Sequence, residues 1–167
     1  GYSTSPAPSD VVECNHCTAC GSQSTQFSAK VPPTSTVIPT DAFSGCVHLH
    51  EYDFEPATTI LVGTRAFRAA PVLEHVHLGN KVTTISPLAF AGTPKLQTVD
   101  GGYFLESIGK HAFYESSASN PTFHGAFPVS DHLYDLQPEA FYRARFRVFD
   151  TGNVLQEVSH GAFKQSQ

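Results

Sequence analysis

Apolar positions recur along most of this chain at a spacing that fits neither a helix nor a lone strand. The dipeptide Ala-Phe stands at 42–43, 66–67, 89–90, 112–113, 140–141 and 162–163, with successive alanines 24, 23, 23, 28 and 22 residues apart. Four residues before each alanine is an aliphatic: Ile38, Val62, Ile85, Ile108, Leu136 and Val158. Seven before it, the later copies carry Val82, Leu105, Leu133 and Leu155. Seven after it stand Leu49, Leu73 and Leu96, and ten after it Tyr52, Val76 and Val99. A fixed recurrence of this length is the signature of a solenoid, in which each copy contributes one rung and equivalent positions stack on one another. The phenylalanines are then expected to form an aromatic spine, with alanine small enough to let a tight turn approach it.

Local signals assign elements to each rung. Thr40-Asp41-Ala42-Phe43 opens like a helix cap, and the Gly or Ser residues after Phe suit a helix end, so a short helical turn is expected there. The Leu-x-x-Tyr/Val stretches predict short strands that pair in parallel from rung to rung. The expected fold class is therefore an α/β solenoid of about six rungs spanning 37–167. A seventh pair, Ala126-Phe127, is off register, since Thr122 stands where an aliphatic is expected. Together with Pro121 and Pro128 it marks 116–129 as an insertion loop. The repeat also loses its leucine where Ser119 and Arg147 stand. Arg143 to Phe149 alternates basic and apolar residues, as in a half-buried strand with a small cationic stripe.

Residues 1–36 are different. They are rich in Ser, Thr, Pro, Gly and Gln and poor in aliphatics, so this irregular segment needs a partner, a cross-link or a cap position to be ordered. It contains Cys14, Cys17 and Cys20, with Cys46 further on. Three chemistries fit. Two disulfides would tie the segment over the end of the coil. A tetrahedral metal site would use Cys14, Cys17, Cys20 and His16. An iron–sulfur cluster would use the Cys-x-x-Cys-x-x-Cys run, although the usual following Cys-Pro is missing.

The Ile-x-x-x-Ala-Phe-x-x-x-x-x-Leu-x-x-Val pattern, seen from Ile85 through Leu96 and Val99, resembles the BspA-type leucine-rich repeat. Ile108-Gly109-Lys110-His111-Ala112-Phe113 copies its opening, and Phe43-Ser44-Gly45-Cys46 matches its cysteine variant. Members of that family are mostly surface or secreted binding modules. The resemblance implies a non-catalytic recognition or scaffold module at the cell surface, outside the cell, or in another oxidising compartment. Its expected partners are other proteins or surface glycans, and it implies no catalytic residue and no cofactor. Two alternatives are a structural subunit that docks neighbouring subunits through the solenoid ends, and a metal or redox protein centred on the cysteines.

Charge and composition narrow the partners. Ten Lys+Arg against fifteen Asp+Glu disfavour a nucleic-acid ligand, which needs clustered cations. No apolar run approaches the roughly 20 residues of a membrane span. The chain begins at Gly1 and contains no methionine, as a mature product or a fragment would. In the predicted strands, the residues flanking Tyr52, Val76 and Val99 face outward. They form two columns: Glu51, His75 and Thr98, and Asp53, His77 and Asp100. These six are the candidate binding residues. The second column offers divalent-ion donors, but a solvated face with a cross-rung ion pair is the favoured account of it. No nucleophile stands beside His77 for hydrolysis. Nine histidines make a pH-sensitive surface conceivable.

Overall fold

The fold follows from a backbone that bonds laterally nearly everywhere. In the computed structural model, the described residues are 11–20, 25–55, 58, 61–116, 126–127, 132–145, 148–149 and 157–166. Among the described residues thirteen strands occur in the order β1 (Val11–Glu13), β2 (Phe27–Lys30), β3 (Val37–Ile38), β4 (Leu49–Asp53), β5 (Leu61–Val62), β6 (His75–His77), β7 (Thr84–Ile85), β8 (Thr98–Asp100), β9 (Ser107–Ile108), β10 (Ala126–Phe127), β11 (Asp135–Leu136), β12 (Val148–Phe149) and β13 (Glu157–Val158). They sort into a five-stranded sheet β1-β2-β4-β6-β8, a six-stranded sheet β13-β11-β9-β7-β5-β3, and the pair β10-β12. Strand pairs are parallel throughout, and the register joins repeat equivalents: Tyr52 to Val76 to Val99, and Val62 to Ile85 to Ile108. This is the solenoid that the periodicity predicted, with rungs stacked in parallel.

The core consists of the predicted columns except at the last rung, where Val158 is exposed and Phe163 only partly buried. Phe43, Phe67, Phe90, Phe113 and Phe141 are almost fully buried, as are Ala42, Ala66, Ala89, Ala112, Ala140 and Ala162. From Phe43 to Phe163, successive rings lie 5.0 to 5.4 Å apart with planes within 10° of parallel. That separation matches the roughly 4.8 Å between hydrogen-bonded strands, so the ring stack and the backbone ladder share one repeat. Parallel rings at this distance are offset, a favourable arrangement for their quadrupoles.

The helical turns are not there. Among the described residues the one helix is a 3-10 turn, Cys17–Cys20, so the α/β assignment is corrected to a parallel β-solenoid. The reason is visible in the backbone. Each Ala-Phe pair is preceded by a residue with positive φ (Asp41, Arg65, Leu88, His111, Glu139 or Gly161). A second positive-φ residue follows three positions after the alanine: Gly45, Ala69, Gly92, Glu115, Arg143 and Gln165. Left-handed residues at both ends stop a helix from propagating. The segment instead folds as successive tight turns, for example Ala89 N–H to Ser86 carbonyl and Ala91 N–H to Leu88 carbonyl. The intervening amides reach sideways: Leu88, Phe90 and Gly92 donate to Lys110, Ala112 and Tyr114 of the next rung. A helix would direct those amides along its own axis.

Residues 11–20 and 25–36 carry two strands and a 3-10 turn where an irregular segment is expected. β1 and β2 lie at the edge of the five-stranded sheet. The 3-10 turn docks on the first Ala-Phe turn, where Cys17 N–H donates to the Ala42 carbonyl at 2.8 Å. Phe43 N–H donates to Ala66 in the same way, so Cys17 takes the place of a preceding rung. Low apolar content misleads here because ladder bonds and cross-links add to the few apolar residues, Phe27, Ala29 and Val31, that join the core.

Two further expectations are adjusted. Within 116–129, the off-register Ala126-Phe127 is strand β10, which pairs with β12; residues 117–125 and 128–129 lie outside the described residues. Of the cationic strand expected over 143–149, Val148–Phe149 is β12, and Phe146 lies outside the described residues. Arg143 sits in a turn and donates to Glu115 at 2.9 Å and Gln165 at 2.8 Å, and Arg147 lies outside the described residues, as do Ser119 and Leu155. Replacing Phe90 with alanine opens a hole in the spine between two stacked neighbours. The expected loss is about 3–5 kcal/mol in urea unfolding. A loss below about 1 kcal/mol would show that the stack is not a principal source of stability.

Candidate functional site

The outward residues of the five-stranded sheet are placed by its register. Ser28, Glu51, His75 and Thr98 form one column across β2, β4, β6 and β8, and Lys30, Asp53, His77 and Asp100 form another. The six residues singled out from the sequence therefore lie together on one polar face. Their side chains are tied across rungs. Ser28 Oγ donates to Glu51 Oε2 at 3.2 Å, and His75 Nδ1 is hydrogen-bonded to Thr98 Oγ1 at 2.9 Å. His77 pairs with Asp100. Asp53 turns to its own chain and accepts the Glu55 amide at 2.8 Å. The Asp-His-Asp column is thus one ion pair plus a turn cap.

Strict alternation hid a third column. Leu49 and Tyr52 are both buried although three residues apart, and so are Leu73 and Val76, and Leu96 and Val99. The chain bends between the members of each pair, with a register shift opposite His50 where β2 meets β4. Two consecutive residues are thereby partly exposed at each bend. This brings forward His50, Glu74 and Gln97. His50 Nε2 lies 3.3 Å from Glu74 Oε2, and Gln97 Nε2 donates to the same oxygen at 2.7 Å. Applying the repeat offset one position earlier would have found this column in the sequence.

Electrostatics single out His77. Partial burial pulls its imidazole down, but the hydrogen bond to Asp100 and the charges of Asp100, Asp53 and Glu55 outweigh it, so the pKa is raised above the ordinary value. Beneath the face, Tyr52 fills a position held by valine in the next two rungs. Its hydroxyl donates to the Cys14 carbonyl at 2.7 Å in a buried contact. Burial, followed by the charge of Asp53, pushes that phenol far above its usual range. Tyr52 is therefore a neutral structural donor.

The cysteines resolve as two disulfides, Cys14–Cys20 and Cys17–Cys46, with none free. With all four sulfurs in disulfides, the thiolate metal site and the iron–sulfur cluster are not favoured as readings of these residues. The physical reason is proximity: the 3-10 turn brings Cys20 back to Cys14, and its docking sets Cys17 against Cys46. His16 instead bonds Thr18 through Nδ1 at 2.9 Å.

A concavity lies on the turns. Ala69 and Gly92 leave space where the next rungs carry Glu115 and Arg143, opening a groove of about 420 Å³ flanked by Arg68, Leu88 and Tyr114.

Two measurements check these assignments. Changing Tyr52 to phenylalanine leaves the Cys14 carbonyl without its buried donor and is expected to cost about 1 kcal/mol, read as a lower urea midpoint. An unchanged midpoint would mean that solvent replaces the bond. Because His77 has a raised folded pKa, its contribution is fully present below the unfolded value and is lost as pH rises through the folded one. An NMR titration should place the His77 midpoint above the ordinary imidazole value, and Asp100→Asn should return it. The stability difference between wild type and that variant should be larger at acidic than at alkaline pH.

The profile of the BspA type leucine rich repeat region matches residues 18–143 in six copies. The match begins within the cysteine segment, upstream of the start expected at 37. Among solved structures, a leucine-rich repeat protein from Bacteroides ovatus superposes with a TM-score of 0.57 at 24% sequence identity. That likeness covers 70% of this chain and 31% of the other, so this chain spans about a third of that protein's length, and the likeness concerns the fold. A comparison with curated proteins finds no match. With its rungs, its spine and its family profile in agreement, the chain belongs to the BspA-type leucine-rich repeat family.

Proposed function

We propose that this chain is a non-catalytic recognition module that binds another protein or a surface glycan through the polar face of β4, β6 and β8. The observation that carries the reading is the cross-rung bonding of that face. Glu51, His75, Thr98, His77 and Asp100 are held in place by neighbours one rung away or by one another. A surface ordered before contact loses less side-chain entropy on binding, which favours recognition. The face carries Glu51, Asp53, Asp100 and Glu55 beside its histidines, and the chain has a formal net charge of -5. It suits a partner that presents cations or hydrogen-bond donors.

The family reading adds no catalytic residue, and no Ser or Cys stands beside His77 in its column. Two disulfides suit a cell-surface, extracellular or lumenal oxidising setting. Among the described residues, no helix is long and apolar enough to cross a membrane.

The test is binding of the intact chain to immobilised extracellular proteins and glycans, repeated with Asp53→Lys and Asp100→Lys together. Both positions are at least partly open to solvent, so the variant is expected to fold, with a melting temperature lowered only by the loss of the His77 pair and the Glu55 cap. Binding should weaken at least about tenfold, equivalent to 1.4 kcal/mol. Unchanged binding by the folded variant would move the site away from this face.

A further inference from the structure

We propose that His50, Glu74 and His75 form a site for a divalent transition cation of the zinc class, with three protein ligands and one coordination position open to solvent. The donor atoms of these three side chains lie within 4.8 Å of one another, and all three residues are partly buried. Among the described residues they are the group of His, Cys, Asp and Glu side chains gathered this closely.

The geometry suits a small ion. Donors about 2.0–2.1 Å from a tetrahedral zinc are separated from each other by about 3.3 Å. His50 Nε2 and Glu74 Oε2 already stand 3.3 Å apart. The His50 and His75 rings lie edge to face with centroids 5.5 Å apart, so a small side-chain rotation brings the second imidazole into the same sphere.

The surrounding bonds orient the ligands as metal sites require. His75 engages Thr98 through Nδ1, which leaves Nε2 as its donor to the ion. Gln97 holds the Glu74 carboxylate in place and leaves lone pairs on both oxygens unused. The backbone supports the same arrangement, since Glu74 N–H donates to the His50 carbonyl and Gln97 N–H to the Glu74 carbonyl, each at 2.8 Å. Two imidazoles and one carboxylate are the donor set of zinc and its neighbours rather than of magnesium or calcium, which prefer oxygen alone. Glu51, the register partner of His75 on β4, adds negative charge beside the cluster. The site shares His75 with the proposed recognition face, but cation binding does not depend on that role.

The experiment is calorimetric titration of the full disulfide-bonded chain with zinc chloride, alongside magnesium chloride. One saturable zinc site is expected, with no comparable magnesium binding. His50→Ala and His75→Ala should each weaken it at least about tenfold, and Gln97→Ala about tenfold through loss of orientation. His77→Ala should leave it unchanged. Zinc should raise the melting temperature of the wild type and of His77→Ala, but not of His50→Ala, which separates binding from folding. Absence of a saturable site would overturn the assignment, as would equal zinc affinity in wild type and His50→Ala. An equal loss in His77→Ala would overturn it too.

Discussion

The rest of the molecule depends on one spacing. Parallel ladders hold successive rungs about 4.8 Å apart, and every residue is forced to sit over its counterpart at that distance. An apolar column tolerates this well. Phenylalanine over phenylalanine gives an offset stack, and alanine over alanine gives room for the turn. The same constraint explains why the turns are not helices. Amides that bond the next rung are unavailable for bonds along a helix axis, and the left-handed residues flanking each Ala-Phe pair direct them outward.

Charged columns face the opposite requirement. Like charges one rung apart would repel, so identity cannot repeat along them. The structure alternates partners instead. Asp41 lies over Arg65 in a two-pronged pair and Glu115 over Arg143, while His77 over Asp100 and His111 over Glu139 set an imidazole against a carboxylate. Alanine or glycine can interrupt a column, as Ala69 and Gly92 do on the turn side. The polar surface is thereby free to vary from rung to rung while the core repeats, which suits a scaffold whose binding face is to be specified independently of its fold.

A solenoid leaves a raw edge, and the amino-terminal segment is organised to cover one. β2 pairs with the edge of β4, and β1 with β2. Cys17 continues the turn ladder onto Ala42, and its disulfide to Cys46 fastens that contact. Tyr52 completes the attachment from within. In a segment with little apolar surface, two cross-links and a buried hydroxyl take over the work that area does elsewhere.

The rung count, the inward columns and the pairing of Glu51 with His75 and of His77 with Asp100 were legible in the sequence. They depend only on residue spacing, and a repeat imposes the same spacing in space. The strands could be placed for the same reason. Three things needed the folded chain. The turn conformation depends on whether an amide bonds its own segment or the next rung, which is a property of two rungs together. The disulfide pairing depends on where a polar segment docks, and its composition does not say. The meeting of His50, Glu74 and His75 depends on a bend between two buried positions, where simple alternation would have put neighbours on opposite faces. Periodicity determined what stacks on what; only the tertiary structure decided how the chain turns between the stacks, because that depends on hydrogen bonds shared between rungs.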